Sequence, residues 1–352
     1  MKQSPRHPLT QALGLCALLF AMSTIGNAHP VPESPKWLTY DGKEGSGKGK
    51  HIVLIAADQE YRSEQAIPML AKILSTHHGF DCTVLFAVNE KGEVDPTMPV
   101  YPKKGKEKEF KTHSIPGTGH LAKADLVIFF HRLLTLPEDQ LKNIVSYLDS
   151  GKPMIALRTA NHGFRGRLPY EIDGKNVNFG RDLLGGAFMG HHGGWKREGT
   201  RGIIEPKNKD HAILKGVTDI FGFSDVYRTY KEGTSLPEDC TNLVWGQPLV
   251  GLNKDDKPNT KKEPLPVAWI KNWKTTTGKQ ARVFNTTMGS AKDLESEGLR
   301  RLVINASLWC VGLEDAITPD LNVDIIGEYK PRKSGFNYEK LGVTPQLPAY
   351  FK

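Results

Sequence analysis

From residue 51 onward the chain alternates short apolar runs with polar stretches. Residues 51–57, 82–88, 126–130 and 154–157 are runs of this kind. Without internal alternation, they suit strands buried on both faces. Ile67, Leu70, Ala71 and Leu74 fall at helical spacing after the first run. Ser63 is the predicted N-cap of that helix and Gly79 its stop, while Pro68 predicts a later start or a kink. Leu141, Ile144, Val145 and Leu148 form a second helical face. Thr135-Leu-Pro-Glu138 reads as its capping box with Pro137 just inside, and Gly151 closes it. Further strand-like runs lie at 202–205, 242–245, 267–270 and 282–285, and residues 225–230 carry Val-Tyr-Arg between polar ends. Leu299, Leu302, Val303, Ala306 and Cys310 mark a last helix that Gly312 closes.

Strands linked by crossovers predict an α/β fold with a doubly wound, mainly parallel sheet. One domain is expected from 51 to 312, without internal repeats. Residues 29–50, rich in Pro, Gly and Lys, read as a linker, and 89–120 as a long polar loop. Residues 313–352 are punctuated by Pro and read as an extended tail over the surface.

The first 28 residues change the picture. Lys2 and Arg6 form a basic start, 13–20 an apolar stretch, and Gly26-Asn27-Ala28 a small-residue cleavage pattern. This is the order of a signal peptide, with the mature chain expected to begin near His29. The apolar stretch is short for a membrane span of roughly 20 residues. The expectation is therefore an exported protein, periplasmic or secreted, with no stable membrane span after cleavage. Removing Lys2 and Arg6 lowers the formal charge from +8 to +6. The basic run Lys103, Lys104, Lys106, Lys108 and Lys111 is broken by Glu107 and Glu109. It reads as a solvated loop, and no nucleic-acid partner is expected. Cys82, Cys240 and Cys310 remain after cleavage, with room for at most one disulfide and no metal-ligand spacing. Nothing in the sequence sets an oligomeric state.

Candidate chemistry lies just beyond the strands. Residues 153–164 read Pro-Met-Ile-Ala-Leu-Arg-Thr-Ala-Asn-His-Gly-Phe, so Arg158, Thr159, Asn161 and His162 follow a buried strand directly. Ligands of open α/β sheets sit beyond the carboxyl ends of strands. His131 ends another strand, and Asp58, Glu60 and Arg62 follow the first. His191-His192 lies between Gly190 and Gly193, in a loop able to fold over the same edge. His131, Arg158, His162, His191 and His192 are the catalytic candidates, since clustered neutral imidazoles suit proton transfer near neutral pH. The same cluster, completed by Asp or Glu, could hold a divalent metal, although a His-His pair lacks the spacing of a zinc helix motif. No cofactor is otherwise implied. Trp195 and Tyr227 can offer faces to a sugar ring, with Glu60, Arg62, Thr159, Asn161, Arg181 and Asp225 as hydrogen-bonding candidates. Each of these residues also has a plain structural use in packing or loop bonding.

The βα framework with a polar elbow after a central strand resembles the class I glutamine amidotransferase-like fold, a flavodoxin-like arrangement. That family places a nucleophilic Cys in a strained Gly-x-Cys-x-Gly turn, where this chain reads Leu157-Arg-Thr-Ala-Asn161. The run Thr286-Thr-Met-Gly289 likewise lacks the His and Glu of the amidotransferase triad. Glutaminase chemistry needs a thiolate and its base, so it is not expected. The closer resemblance is to the ThuA-like, trehalose-utilisation family. It rests on Asp58-Gln-Glu-Tyr-Arg-Ser-Glu64, Leu157-Arg-Thr-Ala-Asn-His162, Leu184-Gly-Gly-Ala-Phe-Met-Gly-His-His192, Pro266-Val-Ala-Trp269 and Arg282-Val-Phe-Asn-Thr-Thr-Met-Gly289. The elbow carries Arg158 where that family often has His. The resemblance implies a small-molecule carbohydrate partner. It points to an enzyme acting on a keto-sugar or glycoside by His acid/base chemistry, through elimination or hydrolysis. The alternative is a non-catalytic sugar-binding module on a scaffold that has lost its nucleophile.

Overall fold

The computed structural model describes residues 36–105, 113–230 and 236–352. The expected signal peptide, residues 29–35 of the expected linker, and Lys106, Lys108 and Lys111 lie outside the described residues.

A ten-stranded sheet organises the chain. Its strands are β1 (Trp37–Tyr40), β2 (His51–Ala57), β3 (Asp81–Phe86), β4 (Leu126–His131), β5 (Met154–Leu157), β6 (Thr200–Ile204), β7 (Phe221–Gly222), β8 (Cys240–Pro248), β9 (Leu265–Lys274) and β10 (Gln280–Thr286). The helices α1 (Ser63–His78), α2 (Glu138–Asp149) and α3 (Glu297–Cys310) pack on it. Across the sheet the order is β1-β3-β2-β4-β5-β10-β9-β8-β6-β7. The central run from β3 to β10 is parallel. The flanks, β1 on one side and β9, β8, β6 and β7 on the other, pair antiparallel.

Strand β2 shows why its run is apolar from Ile52 onward. Ile52, Leu54 and Ala56 face a core shared with Ile67, Leu70 and Leu74 of α1 and Leu302 and Val303 of α3. The alternate residues Val53, Ile55 and Ala57 face a second core with Ile144 and Leu148 of α2. Side chains two apart on a strand share a face, so covering both faces requires every position to be apolar.

Three local expectations are corrected. Residues 36–50 do not run as a free linker, because Trp-Leu-Thr-Tyr is β-prone and β1 covers the edge of β3, with Leu38 buried. The N-cap of α1 is Arg62, left-handed at φ 61° and without a side-chain cap. The Ser63 hydroxyl instead accepts the Asp58 N–H at 2.9 Å, and the helix runs on through Pro68. The capping box of α2 does not close: Pro137 stands at the N-cap and Thr135 Oγ1 has no partner. Glu138 and Asp139 occupy the first turn instead, where negative charge complements the helix dipole.

The tail from 313 packs back along α1. Ile317, Val323 and Val343 are buried, and the Asn322 carbonyl meets His78 Nε2 at 2.8 Å. Among the described residues no helix is long and apolar enough to cross a membrane.

Candidate functional site

The parallel strands β2, β4 and β5 deliver their following residues to one edge. After each comes a non-glycine residue in the left-handed region: Arg62 at φ 61°, Leu133 at 49° and Arg158 at 47°. Such backbone costs on the order of 1–3 kcal/mol per residue and concentrates at functional sites. The Asp58 carboxylate shapes the first turn by accepting the N–H groups of Glu60 and Tyr61. Its other oxygen takes the Thr159 hydroxyl at 2.8 Å, tying the turn after β2 to the turn after β5.

Arg158 is the buried centre of this edge. Its guanidinium lies between the rings of Tyr61 and Tyr227, 4.4 and 3.6 Å from their centroids. Nη1 donates to the carbonyls of Asp225 and Thr287 at 2.7 and 2.8 Å, and Nη2 to Tyr61 Oη at 3.0 Å and Asp225 Oδ1 at 2.9 Å. Only Nε lacks a partner, and the residue is wholly enclosed. The expected contact between Arg158 and a substrate is therefore replaced by a structural role. Tyr227 is likewise buried against Arg158 and offers no open face to a sugar.

Asp225 carries the arrangement outward. While Oδ1 holds Arg158, Oδ2 lies 2.7 Å from Nδ1 of His191, whose side chain is 38 % exposed. The backbone sets this up: Gly190–His191 pairs antiparallel with Tyr227–Arg228 in a short ribbon. Gly190, at φ 137°, supplies a conformation that side chains rarely adopt. A carboxylate at Nδ1 fixes the proton there and leaves the Nε2 lone pair for a ligand.

Beside His191 stands Trp195, with ring centroids 6.1 Å apart. Its indole N–H donates to Glu60 Oε1 at 2.8 Å, and Glu60 Oε2 lies 3.6 Å from Nε of Arg132. Burial, then the neighbouring Asp58, push the Glu60 carboxyl above its ordinary range, against the opposing pull of Arg132 and Trp195. Glu60 and His191 thus both adjoin one indole.

The remaining candidates separate from this group. His131 is fully buried among Phe129, Phe164 and Phe179, neither ring nitrogen has a partner, and burial lowers its pKa to about 3. His162 packs 4.6 Å from the Phe188 ring, and burial foremost, then the cations Arg132 and Arg158, hold it neutral. His192 bonds the Glu263 carbonyl at 2.9 Å, away from its neighbour's partner. Asn161 ties down the Gly186 carbonyl at 2.5 Å, and Thr159 is committed to Asp58. Arg62 is buried, donating to the Gln59 carbonyl with Tyr338 beneath it. Arg181 pairs with Asp182 at 2.6 Å and lines a separate open cleft of about 930 Å³ with Arg167, Lys271 and Trp273. Among the described residues no three His, Cys, Asp or Glu side chains converge as metal ligands.

Two contributors went unmarked in the sequence. Arg132 follows its strand directly, the same positional signal that marked Arg158. Phe336 comes from the tail, with the Arg132 guanidinium 5.1 Å from its ring centroid, and no periodicity announces it.

The class is thus an α/β protein with a polar, aromatic-flanked site at the carboxyl edge of its parallel strands. The family model for ThuA, described as trehalose utilisation, matches residues 53–310, and the chain belongs to that family. A ThuA-like protein from Bacteroides uniformis is similar at 14 % identity and a TM-score of 0.48, covering 80 % of this chain and 100 % of its own. Another from Parabacteroides merdae gives 14 % and 0.47, covering 87 % and 100 %. No curated protein matches.

Proposed function

We propose that the protein is a carbohydrate-processing enzyme in which His191 removes a proton and Glu60 supplies one. The observation that carries this reading is the 2.7 Å pairing of His191 Nδ1 with the buried Asp225 carboxylate, on a ring 38 % exposed. The family description, trehalose utilisation, supports a sugar as the substrate. A glycoside bearing a ketone suits an acid and a base so arranged, because the carbonyl acidifies the adjacent C–H. His191 Nε2 takes that proton, and the C–H electron pair becomes the carbon–carbon bond of an enolate. Arg132, its side chain 16 % exposed, is the cation placed to stabilise the enolate oxygen. The enolate then re-forms the ketone and expels the glycosidic oxygen with its electron pair. Glu60, whose carboxyl is pushed upward by burial and by Asp58, gives that oxygen its proton. Addition of water to the resulting alkene completes a net hydrolysis.

The second reading is a sugar-binding module without turnover. It is favoured by Arg158, which fills with a stacked guanidinium the turn where the resembling amidotransferases carry their nucleophile. Time-resolved analysis of oxidised and unoxidised disaccharides incubated with the protein separates the two. Turnover of the oxidised sugar supports the enzyme. A saturable thermal shift without turnover supports the module. We further propose that residues 1–28 direct export, so secreted material should begin near His29 on N-terminal sequencing, and intact Met1 on cytoplasmic protein would contradict it.

A further inference from the structure

Two exposed aromatic residues meet beside the His191–Glu60 group although some 140 residues of chain separate them. Trp195 is 37 % exposed and Phe336 41 % exposed. Their ring centroids lie 6.4 Å apart with planes tilted by 40°. The spacing is too close to admit a ring between them, so the pair forms one bent surface. Each ring carries a cation: the Lys196 ammonium is 4.2 Å from the Trp195 centroid and the Arg132 guanidinium 5.1 Å from that of Phe336. The tail is fastened at this point, since Gly335 N–H donates to the Glu60 carbonyl at 2.8 Å. Phe336 is thus anchored through the backbone of the residue proposed as the acid.

We propose that Phe336 and Trp195 form a stacking platform for the second ring of a two-ring sugar, with the glycosidic bond reaching back towards Glu60 and His191. Pyranose rings present apolar C–H faces, and sugar sites pair apolar or aromatic walls with a few placed polar groups. Arg132 and Lys196, each lying over one of the two rings, offer donors to the sugar's hydroxyls. The inference rests on the carbohydrate reading above but not on turnover. It makes the tail a determinant of substrate size.

The test is binding, read by intrinsic tryptophan fluorescence and calorimetry. The probes are trehalose, trehalose carrying one ketone, and glucose. Wild type, Phe336→Ala and Phe336→Tyr are compared, since an exposed side chain can be truncated with little effect on folding. Phe336→Ala should weaken the disaccharides by about tenfold, the equivalent of roughly 1.4 kcal/mol. It should leave glucose affinity unchanged, and Phe336→Tyr should restore disaccharide affinity. Equal weakening for both sugar sizes, or none for either, would overturn the platform. Binding without turnover in the wild type would defeat the proton-transfer reading and leave the platform standing. A wild type that binds none of the probes would overturn the platform.

Discussion

Arg158 shows how a residue's position can be legible while its role is not. The sequence places it directly after a buried strand, among polar neighbours, where ligands of such folds sit. Which way its side chain turns depends on Tyr61 and Tyr227, 97 and 69 residues away along the chain, and no local pattern reports that. In the structure its charge is spent on Asp225, two carbonyls and two rings. Arg158→Ala should therefore act on stability first. Removing one partner of a buried ion pair leaves the other charge uncompensated and costs about 3–5 kcal/mol. Urea denaturation should show a loss of that order. Near-wild-type stability with lost sugar binding would return Arg158 to the substrate. The same contrast separates His191 from His192: adjacent in sequence, they bond different partners, the Asp225 carboxylate and the Glu263 carbonyl, because the short ribbon ends at His191.

At the scale of elements, the buried strands were readable because being covered on both faces leaves an unbroken apolar run. The helices show their apolar faces in the sequence, but not their starts. Ser63 and Thr135 are good capping residues in isolation; one is claimed by the Asp58 turn, and the other is passed over for Pro137. Strand β1 escaped notice because four residues between Pro- and Gly-rich neighbours carry too little pattern. The turn after β5 makes a sharper claim. A Cβ on Gly163 would lie 2.1 Å from Nε2 of His131. Three phenylalanine rings surround that imidazole, so it has nowhere to move. Gly163→Ala should cost roughly 1–3 kcal/mol by overpacking, seen as a lower melting temperature. An unchanged melt would mean that the turn and His131 are less tightly coupled than their geometry indicates.

For the whole molecule, buried neutral histidines tie stability to pH. Burial lowers His131 to about 3 and His113 and His78 to about 4. Between those values and the ordinary 6.5 the unfolded chain binds protons that the native rings refuse. This contribution therefore favours the fold above pH 6.5 and is lost as pH falls towards 3. Glu60 and Glu64 are raised by burial and act with the opposite sign, their contribution fading as pH rises through their native values. His131→Leu, which keeps the volume and removes the titration, isolates the first effect. Its melting temperature should drop less than that of wild type between pH 7.5 and pH 5, and equal drops would contradict the assignment. The sheet itself is only half legible: the parallel centre follows from strands spaced by helices, but the antiparallel flank joins the long β8 and β9 to the short β6 and β7 of the irregular stretch before 240. That stretch also supplies His191, Trp195 and Asp225, so its residue types flagged a site before their pairing was visible. Whether His191, held by Asp225, moves the proton is decided by the turnover of a ketone-bearing disaccharide by His191→Gln. With its side chain 38 % exposed, His191 can be replaced with little change in folding. Turnover should fall by about 10²–10⁴-fold while disaccharide affinity and melting temperature stay close to wild type. Turnover at the wild-type rate would contradict it.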